Sequence, residues 1–226
     1  ARVIDPKINA LLLRLLQQRS ELRPEAVGTQ NTEVFGELTT LTGHMMRLRY
    51  SELGFLLTEG LAGISDFTIQ NELEKVVRSA KNPQMRAAAM VSLAYTKDAR
   101  FVPLFQQALV DPNLTVRLGA LESLIACEAP GAQFSVSDAA NNDASFTVRV
   151  MAAAAYWEKW NPSGRDLLLT LAENPDWFVR ADAIYNIGRL GGGPDYRKLL
   201  DLLGREENPI VRAELTLALI RLQKFK

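Results

Sequence analysis

The sequence has very little of what metal centres and nucleophilic active sites are built from. Among its 226 residues, Cys127 is the one cysteine and His44 the one histidine. A single cysteine excludes an intramolecular disulfide and a site of several thiolates, and a single histidine excludes a multi-histidine metal centre. We therefore expect no metal and no cofactor, and we expect Cys127 to end a core helix as a small hydrophobic residue.

The sequence also lacks net charge, since Lys and Arg number 26 and Asp and Glu also number 26. Phosphate contacts supply most non-specific affinity for nucleic acid, so this neutrality counts against a nucleic-acid partner. Long apolar runs are missing too: "INALLLRLLQ" is interrupted by Arg14 and is far too short to span a bilayer. No useful stretch alternates with the period of a strand, which favours an all-α fold.

What the sequence does contain is a repeat centred on arginine. Five segments align without gaps: "PQMRAAAMVSLAY", "LTVRLGALESLIA", "FTVRVMAAAAYWE", "WFVRADAIYNIGR" and "PIVRAELTLALIR". Their arginines are separated by 31, 32, 31 and 32 residues; they are Arg86, Arg117, Arg149, Arg180 and Arg212. Apolar residues recur one residue before each arginine and, in most units, three and seven residues after it. Such a period predicts stacked helical repeats.

Four of the segments are preceded by Asn or Asp followed by Pro. These pairs are Asn82-Pro83, Asp111-Pro112, Asn174-Pro175 and Asn208-Pro209, whereas the third unit offers Asn142-Asp143. We interpret the Asn or Asp as a helix N-cap and the Pro as the first helical residue. A further helical pattern precedes each pair, so each unit reads as a first helix, a short turn and a capped second helix. The second helices are predicted near residues 83–95, 112–126, 144–158, 175–190 and 209–223.

These units resemble the HEAT-repeat family, and most closely its short bacterial form, the PBS-lyase HEAT-like repeat. The segments "DPNLTVRLGALESL" and "NPDWFVRADAIYNIGRLG" carry the resemblance, which covers roughly residues 66–226. It implies an α-solenoid, or superhelix, of HEAT-like helix pairs, with first helices on the convex side and second helices on the concave side. Residues 1–65 fit the repeat less well, and we interpret them as an N-terminal helical capping region.

The resemblance also implies a structural role for the repeat arginines. In that family each arginine typically pairs with an acidic residue at the inter-helix turn, which forms a ladder along the array. Asp111 and Asp143, six residues before Arg117 and Arg149, match the acidic position. Asn174 takes that position in the fourth unit and leaves the ladder incomplete there. A charge inside an apolar arc needs such pairing, because an unpaired buried charge is costly.

The opposite arc of the second helices is the predicted contact surface. At about 100° per residue, positions two, five, six and nine after each repeat arginine cluster there. Small and polar residues dominate this arc, as expected of an exposed concave face, and the fourth unit is the richest. The predicted partner-binding residues are Tyr95, Glu122, Glu158, Asp182, Tyr185, Asn186, Arg189, Glu214 and Arg221.

Signals of catalysis are weak in this sequence. The segment "GRLGGGPDY" does not match a phosphate loop and reads as a helix end followed by a restart. Three tryptophans, Trp157, Trp160 and Trp177, are interpreted as core packing or a protein contact. Acidic residues are plentiful, but no spacing defines a carboxylate pair, so no catalytic residue is predicted.

We therefore expect a non-catalytic scaffold or adaptor that binds protein partners, as a subunit of a larger assembly. One alternative is an enzyme subunit similar to HEAT-repeat phycobilin lyases, which visible absorbance of the purified protein would favour. A second is a DNA-binding solenoid similar to HEAT-like glycosylases, which salt-dependent retention on duplex DNA would favour. The chain begins at Ala1, as expected of a processed protein or an excised fragment. The compartment stays open between the bacterial cytoplasm and, after signal cleavage, the periplasm.

Overall fold

The protein is helical throughout the part of the chain that its computed structural model describes, residues 61–64 and 66–223. Those residues contain no strand, which confirms the all-α prediction. The predicted capping region, residues 1–65, lies outside the described residues except for 61–64. The helices are α1 (Phe67–Ser79), α2 (Pro83–Ala94), α3 (Val102–Ala108), α4 (Leu114–Cys127), α5 (Ala132–Asn142), α6 (Phe146–Lys159), α7 (Gly164–Leu171), α8 (Trp177–Leu190), α9 (Gly193–Arg205) and α10 (Pro209–Leu222), and a short 3-10 helix, Ala99–Phe101, precedes α3.

The helices alternate as first and second members of five pairs, beginning with α1 and α2. The chain forms two compact units, and the boundary between them falls after Ser135, inside α5. In the first unit α1 packs on α2, α3 packs on α4, and the second helices α2 and α4 pack on each other. In the second unit α7 contacts both α6 and α8, α9 packs on α10, and the second helices α6, α8 and α10 pack in succession.

Every second helix begins three residues before its repeat arginine. The residue that precedes the helix therefore stands four residues before that arginine, at what we call position −4. These N-terminal residues are Asn82, Asn113, Ser145, Asp176 and Asn208. The predicted starts near 112, 144 and 175 were therefore two residues early, and Asp111 and Asn174 are not N-caps. Their side chains instead accept the backbone N–H of the next cap: Asn113 N lies 2.8 Å from Asp111 Oδ1, and Asp176 N lies 2.9 Å from Asn174 Oδ1.

The core of each unit is made by the apolar positions that the repeat predicted. In α4, Val116, Ala120 and Leu124 are buried, and the same positions are buried in α8 and α10. Cys127 is also buried, as expected, and its burial raises the pKa of the thiol.

Two glycines allow neighbouring second helices to approach closely. A Cβ added to Gly119 in α4 would lie 2.6 Å from the Cβ of Ala87 in α2, and one added to Gly188 in α8 would lie 2.6 Å from the Cβ of Ala218 in α10. Such distances leave no room for a side chain, so close packing of these helices requires glycine.

Candidate functional site

The repeat arginines close the turns that precede their own helices. Arg180 Nη1 donates to the backbone oxygens of Asn174 and Pro175, both at 2.9 Å. Arg117 Nη1 donates in the same way to the backbone oxygens of Asp111 at 2.9 Å and Pro112 at 3.3 Å. The guanidinium thus satisfies carbonyl groups at the end of the preceding turn, which is a structural task.

Arg86 and Arg180 also pair with a carboxylate of the following repeat. Arg86 Nη1 lies 2.6 Å from Asp111 Oδ2. Arg180 binds Glu206 through two parallel hydrogen bonds, with Nε–Oε2 at 2.8 Å and Nη2–Oε1 at 2.9 Å. Hydrogen bonding to Arg180 lowers the pKa of the Glu206 carboxyl group. Both carboxylates stand six residues before the next repeat arginine, so we call that place position −6.

The sequence prediction missed Glu206 as a member of this ladder. Its signal was present, because Glu206 stands six residues before Arg212, as Asp111 does before Arg117. Glutamate performs the same task, and its Oε1 also accepts the backbone N–H of Asn208 at 2.8 Å.

The ladder changes in the third repeat. Position −6 of the repeat that follows Arg149 is Asn174, as the sequence indicated. Arg149 Nε donates to the backbone oxygen of Ala140 at 3.3 Å, and its guanidinium lies 5.3 Å from the centre of the Phe146 ring. Asp143 Oδ1 accepts the backbone N–H of Ser145 at 2.7 Å, as Asp111 does for Asn113.

Three predicted partner-binding residues are not on the surface. Glu122 is 6% exposed, Asp182 3% and Asn186 0%, so their placement on an exposed arc was wrong. A helical wheel drawn for one helix leaves the whole side opposite the apolar arc facing solvent. In the layer, however, the side with Gly188 meets the following second helix, and positions two and six, which Asp182 and Asn186 occupy, lie on the opposite flank. The preceding second helix covers that flank, so the exposed strip is narrow.

A row of charged side chains remains on that strip in the second unit. It consists of Glu158, Arg189 and Arg221, each nine residues after its repeat arginine, and we call it the charged row. Arg189 and Glu158 form two parallel hydrogen bonds of 3.1 Å between α8 and α6, with side chains 39% and 46% exposed. Tyr95 is the equivalent residue in the first repeat, and it is also exposed.

Tyr185 and Glu214 complete the surroundings of the charged row. The guanidinium of Arg221 lies 5.1 Å from the centre of the Tyr185 ring, a cation–π distance. Arg221 Nη1 also lies 3.3 Å from Glu214 Oε1. Partial burial raises the pKa of the Glu214 carboxyl group, and the charge of Arg221 opposes that rise. The sequence predicted these residues singly and did not reveal how they pair across the repeats.

Two of the three tryptophans contact a neighbouring aromatic ring. Trp160 packs near Tyr156 with ring centres 6.4 Å apart, and Trp177 meets Phe178 edge-on at 5.9 Å. Within the described ranges, no group of three or more His, Cys, Asp or Glu side chains could hold a metal ion. Among the described helices, none has the length and apolar character needed to cross a bilayer.

These observations define an all-α protein built from helix pairs that repeat about every 31 residues. A family model for HEAT repeats matches residues 135–220, which supports the predicted resemblance of these repeats to the HEAT-repeat family. The short bacterial type stays a prediction. The solved structure of human deoxyhypusine hydroxylase in complex with glycerol is similar at 12% sequence identity, with a TM-score of 0.39 over 96% of this chain and 98% of that chain. So low a score carries no argument about fold or function. No curated protein matches this chain.

Proposed function

We propose that the protein is a non-catalytic scaffold or adaptor that binds another protein through the charged row and Tyr185. The observation that supports this proposal is the ordered, exposed arrangement of Glu158, Arg189 and Arg221 on three successive second helices. Arginine and tyrosine are the residue types most often found as energetic anchors of protein interfaces, together with tryptophan.

Fold stability does not account for this arrangement. Ion pairs as exposed as Arg189–Glu158 contribute about 0–1 kcal/mol, because water and salt screen them. We expect such pairs to contribute more to binding than to fold stability, since the contacts between repeats already hold the guanidinium groups of Arg189 and Arg221 in place. A partner then loses less side-chain entropy when it docks.

The chemistry of the row also describes the partner. The row holds one acidic and two basic side chains: Glu158 pairs with Arg189 on the neighbouring helix, and Arg221 lies beside Glu214. A complementary surface therefore places carboxylates opposite the arginines and a cation opposite Glu158, with an aromatic or aliphatic side chain against Tyr185. Charge complementarity of this kind gives specificity and speeds association.

The test compares two charge reversals in the native complex. Arg189→Glu removes the charged row's central cation, whereas Arg205→Glu breaks a similar exposed pair, Arg205–Glu173 at 3.0 Å, at another place in the second unit. Each variant is purified with its bound proteins, and recovery is quantified beside thermal unfolding. We expect Arg189→Glu to lose the partner and Arg205→Glu to retain it, with similar stability. Equal recovery by both variants would contradict the proposal.

A further inference from the structure

The contact between α6 and α8 is less close than the contact between α8 and α10. The helices α6 and α8 approach each other over a shorter stretch than α8 and α10 do. In the α8–α10 contact, Gly188 meets Ala218, and these residues stand eight and six residues after their repeat arginines. The same two repeat positions between α6 and α8 are Trp157 and Asn186. Both side chains are larger, so the backbones of α6 and α8 are held further apart there.

The side of α8 that faces α6 also contains a buried polar group without a partner. Asn186 is fully buried, and its Nδ2 donates to the backbone oxygen of Asp182 at 2.9 Å. Its Oδ1 receives no hydrogen bond from any described residue. A buried acceptor that lacks a donor has lost its hydration without compensation. Separation of α8 from α6 hydrates this oxygen again, so Asn186 favours an open form.

Other contacts decide on which side the two helices can separate. Position −6 is Asn174, so the carboxylate that binds Arg180 in the next contact has no counterpart between α6 and α8. The helix α7 packs on both α6 and α8, and therefore holds them together on the side of the first helices. On the solvent side, Arg189 and Glu158 join α8 to α6 through an exposed ion pair.

We infer that α8 swings away from α6 about α7 while the helices stay folded, and that the Glu158–Arg189 pair is the latch of this movement. The helix α10 moves with α8, because the Arg180–Glu206 pair and close packing hold these two helices together. Opening admits water to Asn186 Oδ1. It breaks only an exposed ion pair, which water replaces at little cost. Local opening of this kind is characteristic of regions with few buried apolar contacts.

Thiol labelling can detect this movement in the protein without any partner. The reporter is Ala154→Cys in α6, five residues after Arg149, between the open strip and the side that faces α8. The control is Ile184→Cys in α8, which lies on the side of that helix turned away from α6. Both positions are 1% exposed, and the buried Cys127 is replaced by Ala in each chain. The control becomes accessible when the second unit unfolds, so it separates unfolding from local opening.

We expect the thiol of Ala154→Cys to be labelled at least about tenfold faster than that of Ile184→Cys, because local opening costs less free energy than unfolding. Adding Asn186→Leu is expected to slow the labelling of Ala154→Cys several-fold, since the unpaired amide oxygen is then gone. Adding Glu158→Gln is expected to speed it up to about fivefold, the factor that an exposed ion pair supplies. Neither change is expected to alter the ratio of the Ile184→Cys labelling rate to the rate of global unfolding.

Equal labelling rates for Ala154→Cys and Ile184→Cys would overturn the inference, because exposure of both thiols would then require the unit to unfold. A labelling rate of Ala154→Cys that Asn186→Leu leaves unchanged would overturn it as well. No partner protein is present in this assay, so its result does not depend on whether the charged row binds one.

Discussion

In the second unit the second helices meet at two contacts, which we call joints, and the two joints differ although the same repeat forms both. Between α8 and α10, Gly188 meets Ala218 closely, and Arg180 binds Glu206 through a pair of hydrogen bonds shielded from solvent. Between α6 and α8, position −6 is Asn174 and has no charge. The side of α8 that faces α6 carries two buried polar residues, Asp182 and Asn186. The Oδ1 atom of Asn186 accepts no hydrogen bond from the described residues.

The difference shows that stability and contact chemistry are distributed unevenly along the array. The α8–α10 joint relies on close apolar packing and a charge-assisted pair, both of which are strong away from water. The α6–α8 joint contains buried polar groups, and the Glu158–Arg189 ion pair that joins its helices is exposed to solvent on one side. The proposed binding row thus crosses the joint that depends less on close packing.

The largest effect is expected from filling the α8–α10 joint. In Gly188→Ala the new Cβ would lie 2.6 Å from Ala218 Cβ and 2.7 Å from its Cα, and neither atom can rotate away. Overpacking then costs about 2–3 kcal/mol net of the gain in helix propensity. For a domain of this size, Tm falls by about 2–4 °C for each kcal/mol, and thermal unfolding measures it.

Gly204→Ala is the matched control for that substitution. Gly204 also lies within a helix, but nothing is found within 4 Å of a Cβ added there. The variant is expected to gain up to about 1 kcal/mol from helix propensity alone. A shift of Tm in the same direction for both glycines would show that the Gly188–Ala218 approach is not tight.

The second effect comes from removing the ionic pair of the same joint. Glu206→Gln keeps the size of the side chain but loses its charge, and is expected to cost about 1–2 kcal/mol at neutral pH. Because the folded-state pKa of Glu206 lies below its ordinary value of about 4.3, its contribution is present above that value. The contribution is lost as the pH falls through the lower folded-state pKa.

Denaturant unfolding at several pH values measures this contribution. The stability gap between the wild type and Glu206→Gln is expected to be constant from pH 7 to about pH 5 and to shrink below about pH 4. Glu173→Gln, which breaks the exposed pair with Arg205, serves as the control and is expected to cost less than about 0.5 kcal/mol. A gap that stays constant down to pH 3 would mean that Glu206 does not act through its charge.

Much of this architecture could be predicted from the sequence because the repeat has a strict register. The arginine spacing alone placed five second helices and their buried apolar positions. The Asn-Pro or Asp-Pro pair located the start of the helix less reliably than the arginine did. Asn82-Pro83 and Asp111-Pro112 look alike, but Asn82 stands at position −4 and Asp111 at position −6. The structure distinguishes them because the Asp111 side chain binds the N–H of the true cap, Asn113.

The candidate surface could be predicted only in part, and for a geometric reason. A single helix projected on a wheel has one open side, whereas a helix in a layer has neighbours on both flanks. Asp182 and Asn186 fall on a covered flank, so their polarity suggested exposure that they do not have. Arg189 falls on the open strip, but its partner Glu158 is 31 residues away, and only the packing of α6 on α8 brings them together.

The smallest effect is expected from giving the α6–α8 joint the charge that it lacks. In Asn174→Asp a carboxylate stands at position −6, where Asp111 reaches Arg86 and Glu206 reaches Arg180. We expect that carboxylate to reach Arg149 in the same way and to stabilise the fold by about 0.5–1 kcal/mol, less at high salt.

A new acid near the start of α8 also interacts with the helix dipole, so a gain in stability does not by itself show pairing with Arg149. Repeating the substitution in an Arg149→Gln background separates the two effects, because only the pairing with Arg149 is then lost. An equal gain in both backgrounds would show that the α6–α8 joint differs from the α8–α10 joint in geometry as well as in charge.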